Sequence, residues 1–326
     1  MGDKIYPIGI QNFEKIRNEG YYYVDKTALI YRLVKTGSYY FLSRPRRFGK
    51  SLLISTLEAY FLGKKELFEG LAMAQLEKNW IRRPVLHLDL NIGKYDAPDS
   101  LDKILEEALS KWEITYGTGV GETTLALRFK GIVERASQQS GQRVAILVDE
   151  YDKPLLQAIG NKELQSAYRN TLKPFYGVLK TMDGYIQFAM LTGVTKFGKV
   201  SVFSDLNNLI DISMDARYVA LCGITGKEIQ DNFEEDLHEL AEAQKMTYEE
   251  AKAELKACYD GYHFEDITYE FQTGLEVIPF LAPHEIRQLF GGSSQEITHH
   301  HDAVHGYDHT HDHEHSHRHE YGEVHS

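Results

Sequence analysis

The chain has 326 residues, 42% apolar and 26% charged, enough for one large packed core or two modest ones. A formal net charge of -12 argues against holding nucleic acid by bulk electrostatics, and no apolar run approaches the ~20 residues that cross a bilayer. Two cysteines, Cys222 and Cys258, make no disulfide framework and suit a reducing cytoplasm, and the first residues lack the apolar region of a signal peptide.

Thr27 to Lys35 has helical spacing, with Leu29, Ile30 and Leu33 on one side. Tyr39-Tyr40-Phe41-Leu42 then reads as a buried strand, followed by the turn Ser43-Arg44-Pro45-Arg46-Arg47-Phe48 and by Gly49-Lys50-Ser51 opening a helix that runs to Leu62. That order builds a phosphate-binding loop: N–H groups at a helix start point at the anion, Lys50 reaches the terminal phosphates and Ser51 coordinates Mg²⁺. The candidate nucleotide contacts are Arg46, Arg47, Phe48, Gly49, Lys50, Ser51 and Leu52. Arg44 stands where the usual pattern has Gly, and Gly-Lys-Ser alone also fits a chance surface turn. Arg44, Arg46 and Arg47 together make a basic patch expected to face the phosphates.

Pro84 to Leu90 is a second strand, in which His87 reads as an ordinary sheet residue. Leu101 to Trp112 and Leu125 to Gln138 read as helices. The Gly-x-Gly-x-Gly between them joins no strand to a helix start and is a linker. Val144-Ala145-Ile146-Leu147-Val148 is an apolar strand ending in Asp149-Glu150. Such an end suits metal-assisted phosphoryl chemistry: Asp149 would hold Mg²⁺ through water and Glu150 would orient the attacking water. Leu164 to Lys180 is a further helix. Ile186 to Lys196 is a strand ending in hydroxyls, with Thr195 the first candidate to contact the γ-phosphate or the water and Thr192 the second. Helices alternating with strands predict an α/β three-layer sandwich with a mostly parallel sheet, ligand at the carboxyl ends of its strands. Lys50 and the acidic pair are expected to meet there across adjacent strand ends.

From Thr225 the composition changes. Thr225 with Glu228, and Thr247 with Glu250, have the spacing of capping boxes that open two acidic helices. The expected organisation is a P-loop core over 1–224, a small and truncated helical lid over 225–264, a linker or divergent segment over 265–298 and a disordered tail over 299–326. The tail holds 11 of the chain's 15 histidines and a formal charge of -5, from six carboxylates and Arg318. Neutral imidazoles at this density bind Zn²⁺ or Ni²⁺ adventitiously.

These segments resemble the AAA-ATPase-like family of bacterial proteins. The residues that carry the resemblance begin with Tyr6-Pro7-Ile8-Gly9-Ile10, Tyr23-Val24-Asp25-Lys26-Thr27, Ser43 to Ser51 and Val148-Asp149-Glu150-Tyr151-Asp152. They continue with Leu191 to Phe197, Leu206-Asn207-Asn208-Leu209 and Tyr259-Asp260-Gly261-Tyr262-His263-Phe264. The resemblance covers about residues 4 to 264, and Arg44 in place of Gly is normal within it. It implies ATP as ligand and substrate, Mg²⁺ as cofactor, and Lys50, Glu150 and Thr195 as catalytic residues, with Ser51 and Asp149 at the metal. It sets Ile8, Ile10 and Phe13 near the nucleotide, over the adenine or simply in the core. Longer relatives carry a C-terminal PD-(D/E)XK nuclease-like domain, of which residues 265–326 show no sign.

The leading expectation is an Mg-dependent ATPase. One alternative is a metal-handling NTPase with a histidine store, although Asn161-Lys162-Glu163-Leu164 has leucine where a guanine-reading aspartate belongs. The other is an ATP-gated binding module with little turnover. The client, the oligomeric state and the source of an arginine finger stay open. Family context leaves nucleic acid open as a partner, which the net charge does not support.

Overall fold

In a computed structural model, residues 4–195, 208–259 and the short strand Val277–Ile278 are described. Outside them lie Lys196-Phe197, Leu206-Asn207, the turn 260–264 with His263, most of the 265–298 segment and the histidine tail. Two short helices and their loops lead in: α1 (Phe13–Asn18) and α2 (Thr27–Thr36). Strand β1 (Tyr39–Ser43) feeds α3 (Lys50–Phe61), and α4 (Ala72–Leu76) precedes β2 (Val85–Asp89). Helices α5 (Ser100–Tyr116) and α6 (Leu125–Ser140) lead to β3 (Val144–Asp149). Then come α7 (Lys153–Gln157), α8 (Lys162–Thr181), β4 (Ile186–Gly193) and β5 (Ile210–Asp211).

The five strands pair in parallel in the order β2-β3-β4-β1-β5. Parallel strands covered on both faces read as unbroken apolar runs, and every residue of β1 and β3 is buried. Successive side chains nonetheless go to opposite layers. Tyr39, Phe41, Val144, Ile146 and Val148 pack in the core shared with α5, α6 and α8. Tyr40, Leu42, Ala145 and Leu147 pack in the core shared with α1, α2 and α3. At the edge strand β2, Leu86 and Leu88 are buried while Val85, His87 and Asp89 are half-buried. His87 behaves there as a sheet residue, its Nδ1 3.0 Å from Glu58 Oε2.

The three-layer α/β sandwich is therefore as expected, with one correction. The strands carrying the loop and the acidic pair are not neighbours, because β4 lies between β1 and β3. Helices at several termini run a few residues longer than the apolar spacing predicts, as at Lys162–Thr181, since caps and first turns are polar.

After β6 (Ile224–Thr225) come α9 (Gly226–Gln244) and α10 (Tyr248–Tyr259), and β6 pairs antiparallel with β7 (Val277–Ile278). Both capping boxes form: Glu228 N–H donates to Thr225 Oγ1 and Glu250 N–H to Thr247 Oγ1, each glutamate accepting in return. The N-terminal segment ties α9 down. Tyr6 Oη donates to Asp236 at 2.6 Å, Tyr22 Oη to Asn232 at 2.8 Å, and Lys26 forms an ion pair with Glu228. Val24, Ile224 and Phe233 bury a small apolar cluster beside these bonds.

Candidate active site

The chain leaves β1 still bonded to its neighbour, Arg44 N–H donating to the Gly193 carbonyl at 3.1 Å. The Arg44 guanidinium is buried and donates through Nη1 to the Ser43 and Ser213 carbonyls. It anchors the start of the loop, so the expected patch of three arginines facing the phosphates reduces to Arg46 and Arg47. A long cation can be held by a carbonyl far away in the sequence, here that of Ser213, which composition does not reveal.

The loop closes through left-handed backbone at Arg47 (φ 69°) and Gly49 (φ 82°), the second of which glycine adopts freely. Gly49 caps α3, and Lys50 begins it, buried beneath the loop. Lys50 Nζ donates to the Arg44 carbonyl at 3.1 Å and the Pro45 carbonyl at 3.3 Å, and lies 3.1 Å from Glu150 Oε1. Phe48 and Leu52, two expected ligand contacts, send their side chains into the apolar core. What they offer a ligand is backbone N–H.

The acidic end of β3 is held by β4. Asp149 is buried and accepts from Thr192 Oγ1 and from Glu150 N–H. Val148 pairs with Leu191 across the ladder, so Asp149 and Thr192 fall at the next level. Thr195 sits elsewhere: its hydroxyl donates to Asp152 at 2.6 Å and lies 3.3 Å from Tyr151 Oη. Of the two threonine candidates, the second is therefore the one beside the acidic pair.

Glu150 turns out of the strand at φ 54°, a conformation held only when its surroundings over-determine it. Asp152 supplies that hold, accepting from Val194 N–H at 3.0 Å and Thr195 N–H at 2.7 Å, while Tyr151 N–H donates to the Thr192 carbonyl at 2.9 Å. The approach is close enough to require glycine at 193. A Cβ there would lie 2.3 Å from Tyr151 Cε1 and 2.6 Å from Asp152 Oδ1. Gly193→Ala is expected to destabilise the fold by about 1–3 kcal/mol through this overpacking. Denaturant titration checks it, and an unchanged midpoint would show that the turn gives way freely.

Burial pushes the Glu150 carboxyl above the usual glutamate range; Lys50 opposes the shift, and Asp149 and Asp152 reinforce it.

Arg46, Arg47, Gly49, Lys50, Ser51 and Glu150 line one open cleft, at the carboxyl ends of the strands where ligands of such sheets bind. Sequence reasoning missed Gln11, Asn91 and Lys153, which complete its wall. Asn91 follows β2 directly and Lys153 follows the acidic turn, so the rule that places ligands at the carboxyl ends of strands pointed to both. Asp149 is not among the residues lining the cleft; it lies one residue before Glu150 and accepts from its N–H. Of the residues set near an adenine, Phe13 is fully buried core, Ile10 packs against that core and Ile8 is exposed. A separate small pocket beside Phe48 and Gly49 is lined instead by Tyr23, Lys26, Leu221 and Cys222, among others.

Mg²⁺ takes oxygen ligands and keeps several waters. Ser51, a residue of the cleft wall, and Asp149, at the strand end, offer that donor type. Among the described residues, no group of three or more His, Cys, Asp and Glu side chains could hold a metal, and no helix is long and apolar enough to cross a membrane.

The family model described as Predicted AAA-ATPase matches residues 7–203. The chain is also similar to an "Uncharacterized protein in vnfD 5'region" from Azotobacter chroococcum mcd 1, 42% identical over 266 residues. That match covers 81% of this chain and 49% of the relative, so the chain spans about half the relative's length.

Proposed function

Because the chain belongs to the AAA-ATPase-like family of predicted ATPases, we propose that it binds ATP in the cleft described above and hydrolyses it with Mg²⁺. The observation that carries this reading is the 3.1 Å pair between Lys50 and Glu150 inside a cleft that also presents Ser51, Arg46 and Arg47. A lysine at a helix start, a hydroxyl beside it and a carboxylate facing both are the parts phosphoryl transfer needs.

Backbone N–H groups of the loop and of the first turn of α3 cradle the β- and γ-phosphates. Lys50 exchanges the Arg44 and Pro45 carbonyls and Glu150 for phosphate oxygens. Ser51 and Asp149 would hold Mg²⁺, which supplies shielding for the charge on the phosphates when bound. Thr192 fixes the orientation of Asp149 through its hydrogen bond. Glu150, released from Lys50, orients a water for in-line attack. The new bond runs from water oxygen to the γ-phosphorus, the water's proton passes to the Glu150 carboxylate, the bond to the bridging oxygen breaks, and ADP and inorganic phosphate leave. The helices of 225–259 act as a lid over a core spanning 1–224, tied to the loop where Gly223 N–H donates to the Phe48 carbonyl at 2.8 Å.

Adenine rather than guanine as the base is supported by Asn161, whose side chain caps α8 by accepting from Glu163 and Leu164 N–H groups. It is occupied as a helix cap. Titration of the purified chain with ATP and GTP, with and without Mg²⁺, tests the proposal. Mg²⁺-dependent saturation by ATP supports it, and no binding or a preference for GTP overturns it.

The raised Glu150 carboxyl gives a pH signature. Water orientation needs the ionised form, and a raised value means that protonation sets in at a higher pH than for an ordinary glutamate near ~4.3. kcat/KM should therefore fall on acidification with a limb displaced above that value. A profile flat down to the ordinary value would contradict the role.

A further inference from the structure

We propose that Lys153 is a terminal-phosphate ligand supplied by the chain itself, doing from within the cleft part of what a cation from a neighbouring subunit would do. The inference rests on the ATP reading above and specifies which part of the nucleotide this residue recognises.

The first observation is charge accounting. In a chain of formal charge -12, several surface cations have carboxylate partners: Lys94 with Asp96, Lys103 with Asp99, Lys111 with Glu107, Lys227 with Asp231. Along the cleft, Lys153, Arg46 and Arg47 form no ion pair among the described residues. Lys153 Nζ instead donates to the neutral amide oxygen of Asn91 at 3.2 Å. An ammonium resting on an amide keeps its full charge for an incoming anion. Three cations with no carboxylate partner, on one cleft of an acidic chain, fit a polyanion.

The second observation is position. Lys153 N–H donates to the Glu150 carbonyl at 3.0 Å, so it stands one turn beyond the residue proposed to orient water. Arg46, Lys50 and Ser51 come from the loop after β1, whereas Asn91 and Lys153 come from the ends of β2 and β3. In the order β2-β3-β4-β1, that is the far side of the cleft from the loop. A triphosphate cradled by the loop would extend its last phosphate toward Glu150, and Lys153 is the cation on that side. Asn91 holds the side chain until it is needed. Negative charge grows on the γ-phosphoryl oxygens as the bond breaks, so a cation there stabilises the transition state more than bound ADP.

The test compares the parent chain with Lys153→Ala and Lys153→Arg, measuring Mg-ATP and Mg-ADP affinities by calorimetry and turnover by phosphate release. Lys153→Ala should lower ATP affinity by roughly 10-fold while leaving ADP affinity alone, and turnover by roughly 100-fold. Lys153→Arg should recover most of both, which a residue acting only on the fold would not predict. Equal loss for ATP and ADP, or an unchanged ATP-to-ADP ratio in Lys153→Ala, overturns the assignment while the ATP reading stands. A parent chain that binds neither nucleotide overturns both.

Discussion

Glu150→Gln is expected to lower ATP turnover roughly 10³-fold, the share a positioned general base contributes, and to leave ATP bound at least as tightly as in the parent chain. The two effects have separate origins. Glutamine keeps the shape of the side chain but cannot polarise water as a carboxylate does, so the chemical step slows. The same change removes the charge that holds Lys50 at 3.1 Å, so the ammonium no longer leaves an ion pair to meet the phosphates. Because Lys50 is buried and the Glu150 side chain is 16% exposed, solvent screens that pair less than it would a surface one. Tightening by several-fold together with lost turnover would mark an enzyme whose resting state restrains its own lysine. Unaltered turnover would favour a nucleotide-gated binding module, and weakened binding would contradict the antagonism between Glu150 and ligand.

Most of the architecture was legible in the sequence for a particular reason. A strand of a parallel sheet is covered on both faces, so β1 and β3 announce themselves as unbroken apolar runs, and polar residues at their carboxyl ends mark where the covering stops. The relative positions of strands are a different kind of information. Nothing local to Ile186–Gly193 says that this strand slides between the other two, because that order is decided by the packing of crossover helices. The choice between Thr192 and Thr195 turns on the same kind of information. It depends on cross-strand level, which sets Thr192 next to Asp149, whereas Thr195 lies past the strand end and bonds to Asp152. Arg44 misled in a third way. Charge suggested a phosphate, but the carbonyls of Ser43 and Ser213 hold that side chain inside the fold through Nη1. What sequence supplied was the chemistry available at each strand end, and what it withheld was which groups had already been used structurally.

Lys50→Ala should weaken ATP binding by roughly 100-fold or more, of the order found when one member of a buried charge pair is truncated. Part of that loss comes from the phosphate contact itself. The rest comes from Glu150, which loses its cation while Asp149 and Asp152 remain near enough to raise its carboxyl further. A carboxylate left bare in the cleft repels a triphosphate, so combining Lys50→Ala with Glu150→Gln should restore part of the binding without restoring turnover. The two substitutions are then non-additive in affinity, as residues in direct contact generally are. Additive losses would mean that the pair seen here is dissolved before nucleotide arrives. Deleting residues 299–326 is the matched control, since the described cleft-lining residues all lie between Gln11 and Lys153; it should leave both affinity and turnover at the parent level. Loss of turnover on that deletion would instead assign the histidines a part in catalysis and revive the metal-handling alternative.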